Sequence, residues 1–482
     1  MTKCHAGWLL RIALGLAFSL IPSVGFAQLP PAQRSAAAAR TLPGLTAQSA
    51  VRLGPVALDD LIGTALARNP RLGRAAFAID AARGRYTQAG LYPNPVFAFA
   101  ADELGDRTGP AGILSPQLSQ EIVRGGKLRL SQAVAAKEVD QASLSLLAER
   151  YALVGAVRAS FYEVLALQQR AAILTDLVTL ADQSVELGRK SFEAKQVARL
   201  DLVQLEVEAE RFRADAESVE RELPAAFRRL TAAAGDPRLP LSTVVGTLDA
   251  ALPEYDLERS KEAVLAFHPE VRAAKVGVER TQAALRRAQA EPVPNVTVSS
   301  GYTRQNQNRS NDWAVGVSVP LPVWNRNQGN IRTAQADFGS AVQDVGRVEN
   351  DLTDRLALAF RTYSAAKQRA GRYKTAILPR AEETYALSLQ AFKGGQFEYL
   401  RVLQAQRAVA EARLESNRAL GEAWRSAGEI SGLLLEEAWP NAPAATAPLP
   451  NAPPTPALPP PTGLPPGVAV PPPTEERRPG KN

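Results

Sequence analysis

The chain has 482 residues, 45% of them hydrophobic and 22% charged, with a formal net charge of +7. That length leaves room for two or three domains with sizeable cores. One cysteine and two histidines argue against a disulfide framework, a cysteine nucleophile or a soft-metal centre. Lys and Arg alternate with Asp and Glu instead of clustering, which argues against a nucleic-acid partner.

The N-terminus pairs Lys3 and Arg11 with the apolar run IALGLAFSLIPSV and closes on Gly25-Phe26-Ala27. This is the pattern of a secretory signal peptide over residues 1–27. The run is shorter than the ~20 apolar residues that span a bilayer. Removing it takes Met1, Cys4 and His5 and lowers the net charge to +5, leaving His268 as the one histidine. Cys4 precedes the apolar run, which argues against an N-terminal lipid. Residues 28–57 read as an N-terminal extension.

From Leu58 the composition favours helix, interrupted at Asn69-Pro70. Gln117 to Leu223 contains no proline. From Val157 its apolar positions recur at Ser160, Val164, Leu167, Ala171, Leu174, Val178, Ala181 and Val185, a heptad seam with one polar member. A helix from about Lys127 to Phe192 would run roughly 100 Å. The scheme then repeats: Asn69-Pro70 returns as His268-Pro269, Pro93-Asn94 as Pro294-Asn295. Leu187, Phe192, Gln196, Leu200, Gln204 and Arg213 recur as Leu387, Phe392, Gln396, Leu400, Gln404 and Arg413. We read an internal duplication, with halves at 58–234 and 259–438 and a turn-rich linker at 235–258. Each half should end its long helix in a hairpin, the second through Gly394-Gly395. Residues 439–482 hold 16 of the 36 prolines, a composition that favours extended conformations and cannot bury a core.

Each half also carries two short stretches of strand periodicity: Val96 to Glu103 and Ile113 to Ile122, then Asn295 to Gln305 and Asp312 to Leu321. In the last, Trp313, Val315, Val317, Val319 and Leu321 alternate with small or polar residues. This fits a membrane strand with lipid on one side and water on the other. Tyr92, Tyr302, Trp313 and Trp324 stand near strand ends, where an aromatic girdle belongs. A half-buried hairpin in a soluble domain would alternate in the same way. Four strands cannot close a barrel, and open edges in lipid would leave backbone groups unsatisfied, so membrane strands would demand several copies. Three copies would supply twelve strands.

With the segments ALARNPRL (65–72), QAGLYPNP (88–95), LSQEIVRGGKLRL (118–130) and ILPRAEETYALSLQAFKGGQFEYLRVLQAQRAVAEA (377–412), the chain resembles the TolC family of outer-membrane efflux channels, and within it the cation-efflux (CzcC-like) branch. The resemblance spans about Leu58 to Leu435. It implies a mainly helical fold with a small β part: a homotrimer whose twelve strands form an outer-membrane barrel, continued by long antiparallel helices into a periplasmic tube with a constricted tip. It also implies a periplasmic adaptor and an inner-membrane pump as partners. The proline-rich tail departs from the family pattern.

No phosphate-cradling loop, metal-ligand histidine pair or nucleophile with its base is present in the sequence. The expectation is a passive duct without cofactor, metal site or catalysis, exporting heavy-metal cations. The alternatives are the same duct carrying organic solutes or polypeptides, and a soluble periplasmic coiled-coil scaffold. His268 reads as structural. At the tip, Gly394 and Gly395 permit a tight reversal, and Glu193, Asp201 and Glu398 stand beside the two turns. Repeated around a ring, these acids would concentrate cations. The competing reading is that they cap helices or pair with Lys195, Arg199 and Lys393.

Overall fold

A computed structural model describes residues 54–104, 112–195, 197–394 and 399–439. The segments read as signal peptide and proline-rich tail lie outside these, as does most of the N-terminal extension.

The first half runs α1 (Leu58–Arg68), α2 (Pro70–Ala89), β1 (Val96–Asp102), β2 (Ile113–Ile122), α3 (Lys127–Glu193) and α4 (Arg199–Ala233). The second half runs α5 (Leu257–Phe267), α6 (Pro269–Ala290), β3 (Val296–Gln305), β4 (Ser310–Ser318), α7 (Gln328–Arg372), a π turn (Tyr373–Ile377), α8 (Leu378–Lys393) and α9 (Tyr399–Leu433). The order is the same, with α7, the π turn and α8 standing where α3 is continuous. Asn69 and His268 are both extended, as the residue before proline must be, and each ends one helix and caps the next.

At 67 residues, α3 is about 100 Å long and is the spine of the fold. Near its start Val139 packs on Ile79 and Ala82 of α2, and Lys137 pairs with Glu279 of α6 at 2.7 Å. Farther along, Leu174, Leu177 and Ala181 pack against Ala209, Phe212 and Val219 of α4 and Ala410 of α9. The buried seam toward the far end is Leu174, Leu177, Ala181, Ser184, Gly188 and Ser191. It departs from the expected seam, in which Val178 and Val185 took the places of Leu177 and Ser184. Counting apolar residues misses the seam's polar and glycine members. Gly188 is one of these: a Cβ there would sit 2.5 Å from Leu205 of α4.

Midway along α3 the core is densest. Phe161 and Tyr162 pack with Phe227, Leu230 and Trp424. The Trp424 indole stacks on Tyr162 at 4.8 Å and donates to the Leu248 carbonyl at 2.8 Å. The segment between the halves is therefore built into the core through Val244 and Leu248; α5 begins at Leu257, two residues inside the stretch read as linker. Arg158 is only 2% exposed. Its guanidinium donates to Ser431 Oγ (2.9 Å) and to the carbonyls of Glu436 (2.9 Å) and Glu437 (3.2 Å), and lies over the Trp439 ring. Burial pushes its pKa below the ordinary arginine value. It thereby fastens the segment after α9 to the core.

The four strands form one antiparallel meander in the order β1-β2-β3-β4. β1 and β4 are its open edges. β4 ends at Ser318, so Val319 and Leu321 lie past the strand they were assigned to. Pro320 and Pro322 lack the N–H a ladder requires.

Candidate functional site

The register sorts every strand residue onto one of two faces. Phe97 stands opposite Leu118, Leu118 opposite Ser300, and Ser300 opposite Val315; Val298 faces Val317 and Tyr302 faces Trp313. This face is apolar and open, with Trp313 77% and Val315 78% exposed. On the other face Ala98, Gln117, Gly301 and Ala314 form one row, with Ser119, Ser299 and Gly316 in the next. The hydroxyls of Ser115 and Thr303 meet at 3.5 Å. A sheet with large apolar groups on one side and small or polar groups on the other can separate lipid from water. Trp324 is also exposed, and Tyr302 contacts Trp313 at 5.2 Å between ring centroids.

Between sheet and helices is a polar junction. Gly125 (φ 69°) and Gly126 (φ 65°) take left-handed conformations that turn β2 into α3. Lys127, 4% exposed, donates to Asn295 Oδ1 at 3.0 Å and lies 3.6 Å from Glu291. Asn295 Nδ2 donates to Glu121 at 2.6 Å, and Arg287 pairs with Glu291. The hydrogen bond from Arg287, with the charge of Lys127 beside it, holds the Glu291 carboxyl below the usual range. The segments GGK and VPN, about 170 residues apart, thus meet at one point. In the second half Asn327 takes the left-handed position (φ 62°) before α7.

At the far end the two hairpins come together: Leu205, Tyr399, Val402 and Leu403 form one cluster with Val185 and Phe392. Glu193 is the last residue of α3 and is exposed. Lys195 takes the left-handed turn conformation (φ 59°). The Asp201 carboxylate accepts the Ala198 N–H at 3.1 Å, so this acid caps α4. Gly394 closes α8 with φ −81°, a conformation open to any residue, so the left-handed freedom expected of it is not used. Gly395 and Glu398 lie outside the described residues. Among the described residues no group of three or more histidine, cysteine or acidic side chains is gathered as a metal site.

Two internal ion pairs repeat between the halves. Arg213 bonds Asp182 at 2.5 Å across α3 and α4, and Arg413 bonds Glu382 at 2.7 Å across α8 and α9. Glu208 and Arg407, paired at 2.8 Å, tie the two hairpins together. The charge alternation in the sequence conceals which acids and cations meet.

Comparison with known proteins gives one family model, described as outer membrane efflux protein, which matches residues 61–236 and 262–434. The chain is 28% identical to the cobalt-zinc-cadmium resistance protein CzcC of Cupriavidus metallidurans over 79% of its own length and 90% of the relative's. Among solved structures it is similar to CusC (TM-score 0.69, 19% identity, 78% of this chain and 91% of that one). It is also similar to the open state of the MtrE outer membrane channel of Neisseria gonorrhoeae (TM-score 0.63, 20% identity, 78% and 88%).

Proposed function

The chain belongs to the outer membrane efflux protein family, and on that premise we propose that three copies close one duct that releases heavy-metal cations from the cell. It is an outer-membrane efflux channel reaching into the periplasm. The observation that carries the closed ring is the sheet: one wholly apolar open face, one small and polar face, and two unpaired edges. In hydrocarbon those edges need partners. Four strands from each of three copies make a twelve-stranded barrel, with Trp313, Val315 and Val317 toward lipid and Ser115, Ser299 and Thr303 toward the water-filled interior. A soluble scaffold would leave that apolar face without a role.

The cargo reading rests on the likeness to the cobalt-zinc-cadmium resistance protein. The duct itself is passive. A periplasmic adaptor and an inner-membrane pump supply energy and choose the ion, and the acids Glu193, Asp201 and Glu398 give the mouth a field that favours cations. Membrane fractionation with unheated and heated gels tests the ring: an outer-membrane oligomer that falls to monomer on boiling is expected, and a soluble monomer would refute it. A deletion strain tests the cargo. Sensitivity to divalent metals with unchanged tolerance of organic toxicants is expected, and the reverse pattern would assign the duct to organic solutes.

A further inference from the structure

We infer that the seam between neighbouring copies repeats the seam already present between the two halves of each chain, residue for residue. The inference rests on the ring proposed above and adds which side chains meet.

The starting observation is a groove of about 440 Å³ on the outer face of α4, lined by Val203, Glu206, Val207, Glu210, Arg211 and Ala214. In the helical sense this face is opposite Leu205, Ala209 and Phe212, which pack toward α3. Two hundred residues later the same positions on α9 are Leu403, Gln406, Arg407, Ala410, Glu411 and Leu414. There Leu403, Gln406 and Ala410 are buried. Ala410 shares a cluster with Leu174, Leu177 and Ala181 of α3, and Gln406 accepts a hydrogen bond from Ser184 of α3 at 3.3 Å. A surface that α3 covers in one half is thus bare in the other.

The covering element for α4 must be the counterpart of α3, which is α8 of the next copy. The offset holds in three dimensions, since the pairs Arg213–Asp182 and Arg413–Glu382 occupy matching places. The π turn and α8 present Ile377, Arg380, Thr384 and Leu387, all exposed and spaced by three and four residues as a packing face is. Two apolar groups, a cation and a hydroxyl complement two valines and two glutamates. Ser184 against Gln406 becomes Thr384 of one copy against Glu206 of its neighbour.

The sheet yields its own register. Val96 opposite Ser119 and Thr297 opposite Ser318 are equivalent hairpin pairs. The internal pairs Leu118 with Ser300 and Ser119 with Ser299 then map to Val317 with Phe99, and Ser318 with Ala98, between β4 of one copy and β1 of the next. Val317 and Phe99 both lie on the apolar face; Ser318 and Ala98 both lie on the small one. A register wrong by one residue would have mixed the faces.

Cysteine pairs in the full chain test this. Cys4 is the one native cysteine, and Cys4→Ser gives a clean background. Glu206→Cys with Thr384→Cys, oxidised in the outer membrane, should produce covalent dimers and trimers on a boiled non-reducing gel. Arg213→Cys with Thr384→Cys should not, because two turns move the thiol about 11 Å and a disulfide tolerates Cα separations of only about 4.4–6.8 Å. Ala98→Cys with Ser318→Cys is the independent second pair, with Ala100→Cys and Ser318→Cys as its control. Bridging in the controls and not in the matched pairs would overturn the register. An oligomer on the unheated gel with no bridging in either matched pair would overturn the seam while leaving the ring standing. A monomer on that gel would overturn the ring, and the seam with it.

Discussion

Asn69 and His268 hold equivalent places in the two halves and perform the same task with different chemistry. Asn69 Oδ1 accepts the Arg71 N–H at 2.9 Å, and His268 Nδ1 accepts the Glu270 N–H at 3.3 Å. Only the second of these caps can be titrated. His268 is 3% exposed; burial pushes its pKa down to about 4, with Glu270 pulling it up and Arg355 pushing it further down.

The sign of the resulting pH dependence follows. Between the folded value and the ordinary value of about 6.5, the unfolded chain binds the extra proton. The stabilising contribution is complete above that ordinary value and is lost as pH falls toward 4, by about 3 kcal/mol at most. His268→Asn, copying the first half, should keep the cap and flatten this part of the profile. Denaturant unfolding in detergent at a series of pH values would show it; an unchanged slope would mean that His268 is not the titrating group.

A second prediction separates the two faces of the sheet. Val315→Arg places a charge on the apolar face near the middle of β4 and should destabilise the inserted barrel by about 2–4 kcal/mol. Ala314→Arg points the other way and should be tolerated. Both are read as the fraction of heat-resistant oligomer in the outer membrane. Equal effects would mean that the faces are not divided between lipid and water.

The third prediction concerns the buried guanidinium. Arg158→Met removes the donor to the Glu436 and Glu437 carbonyls and the cation over Trp439. Stability should fall by about 2–4 kcal/mol, since bonds from a charged donor contribute about 1.5–3 kcal/mol and buried acceptors are left bare. The segment after α9 should then become cleavable by protease before the rest of the chain. Cleavage at the native rate would show that Trp439 and its aromatic neighbours hold the segment without Arg158.

How much of this was legible in the sequence depended on the kind of signal. A proline-free run gave α3 its length, and alternation in the strands gave the sheet its two faces, because both patterns are local. The buried seam was less legible: Ser184, Gly188 and Ser191 belong to it through close approach of helices, which an apolar count does not register. The extent of β4 was overread because Val319 and Leu321 continue the alternation across Pro320, where the ladder cannot. Lys127 and Arg158 look like ordinary surface cations; their burial is set by Asn295 and by the segment after α9, both far away in the chain. The π turn at Tyr373–Ile377, in a half where α3 is the unbroken counterpart, had no sequence signal that we recognise.

The last prediction concerns the mouth, where capping and field must be told apart. Asp201 accepts the Ala198 N–H, and an asparagine oxygen can do the same without charge. Asp201→Asn should therefore leave the stability of α4 within a few tenths of a kcal/mol, whereas Asp201→Ala should lose about 1 kcal/mol with the cap. If the carboxylate also contributes to the field at the mouth, Asp201→Asn combined with Glu398→Gln should shift the reversal potential of single channels away from cations in a salt gradient, most clearly at low ionic strength, where screening is weakest. A reversal potential unchanged in the double variant would confine Asp201 to capping and leave the ion preference of the system to the pump.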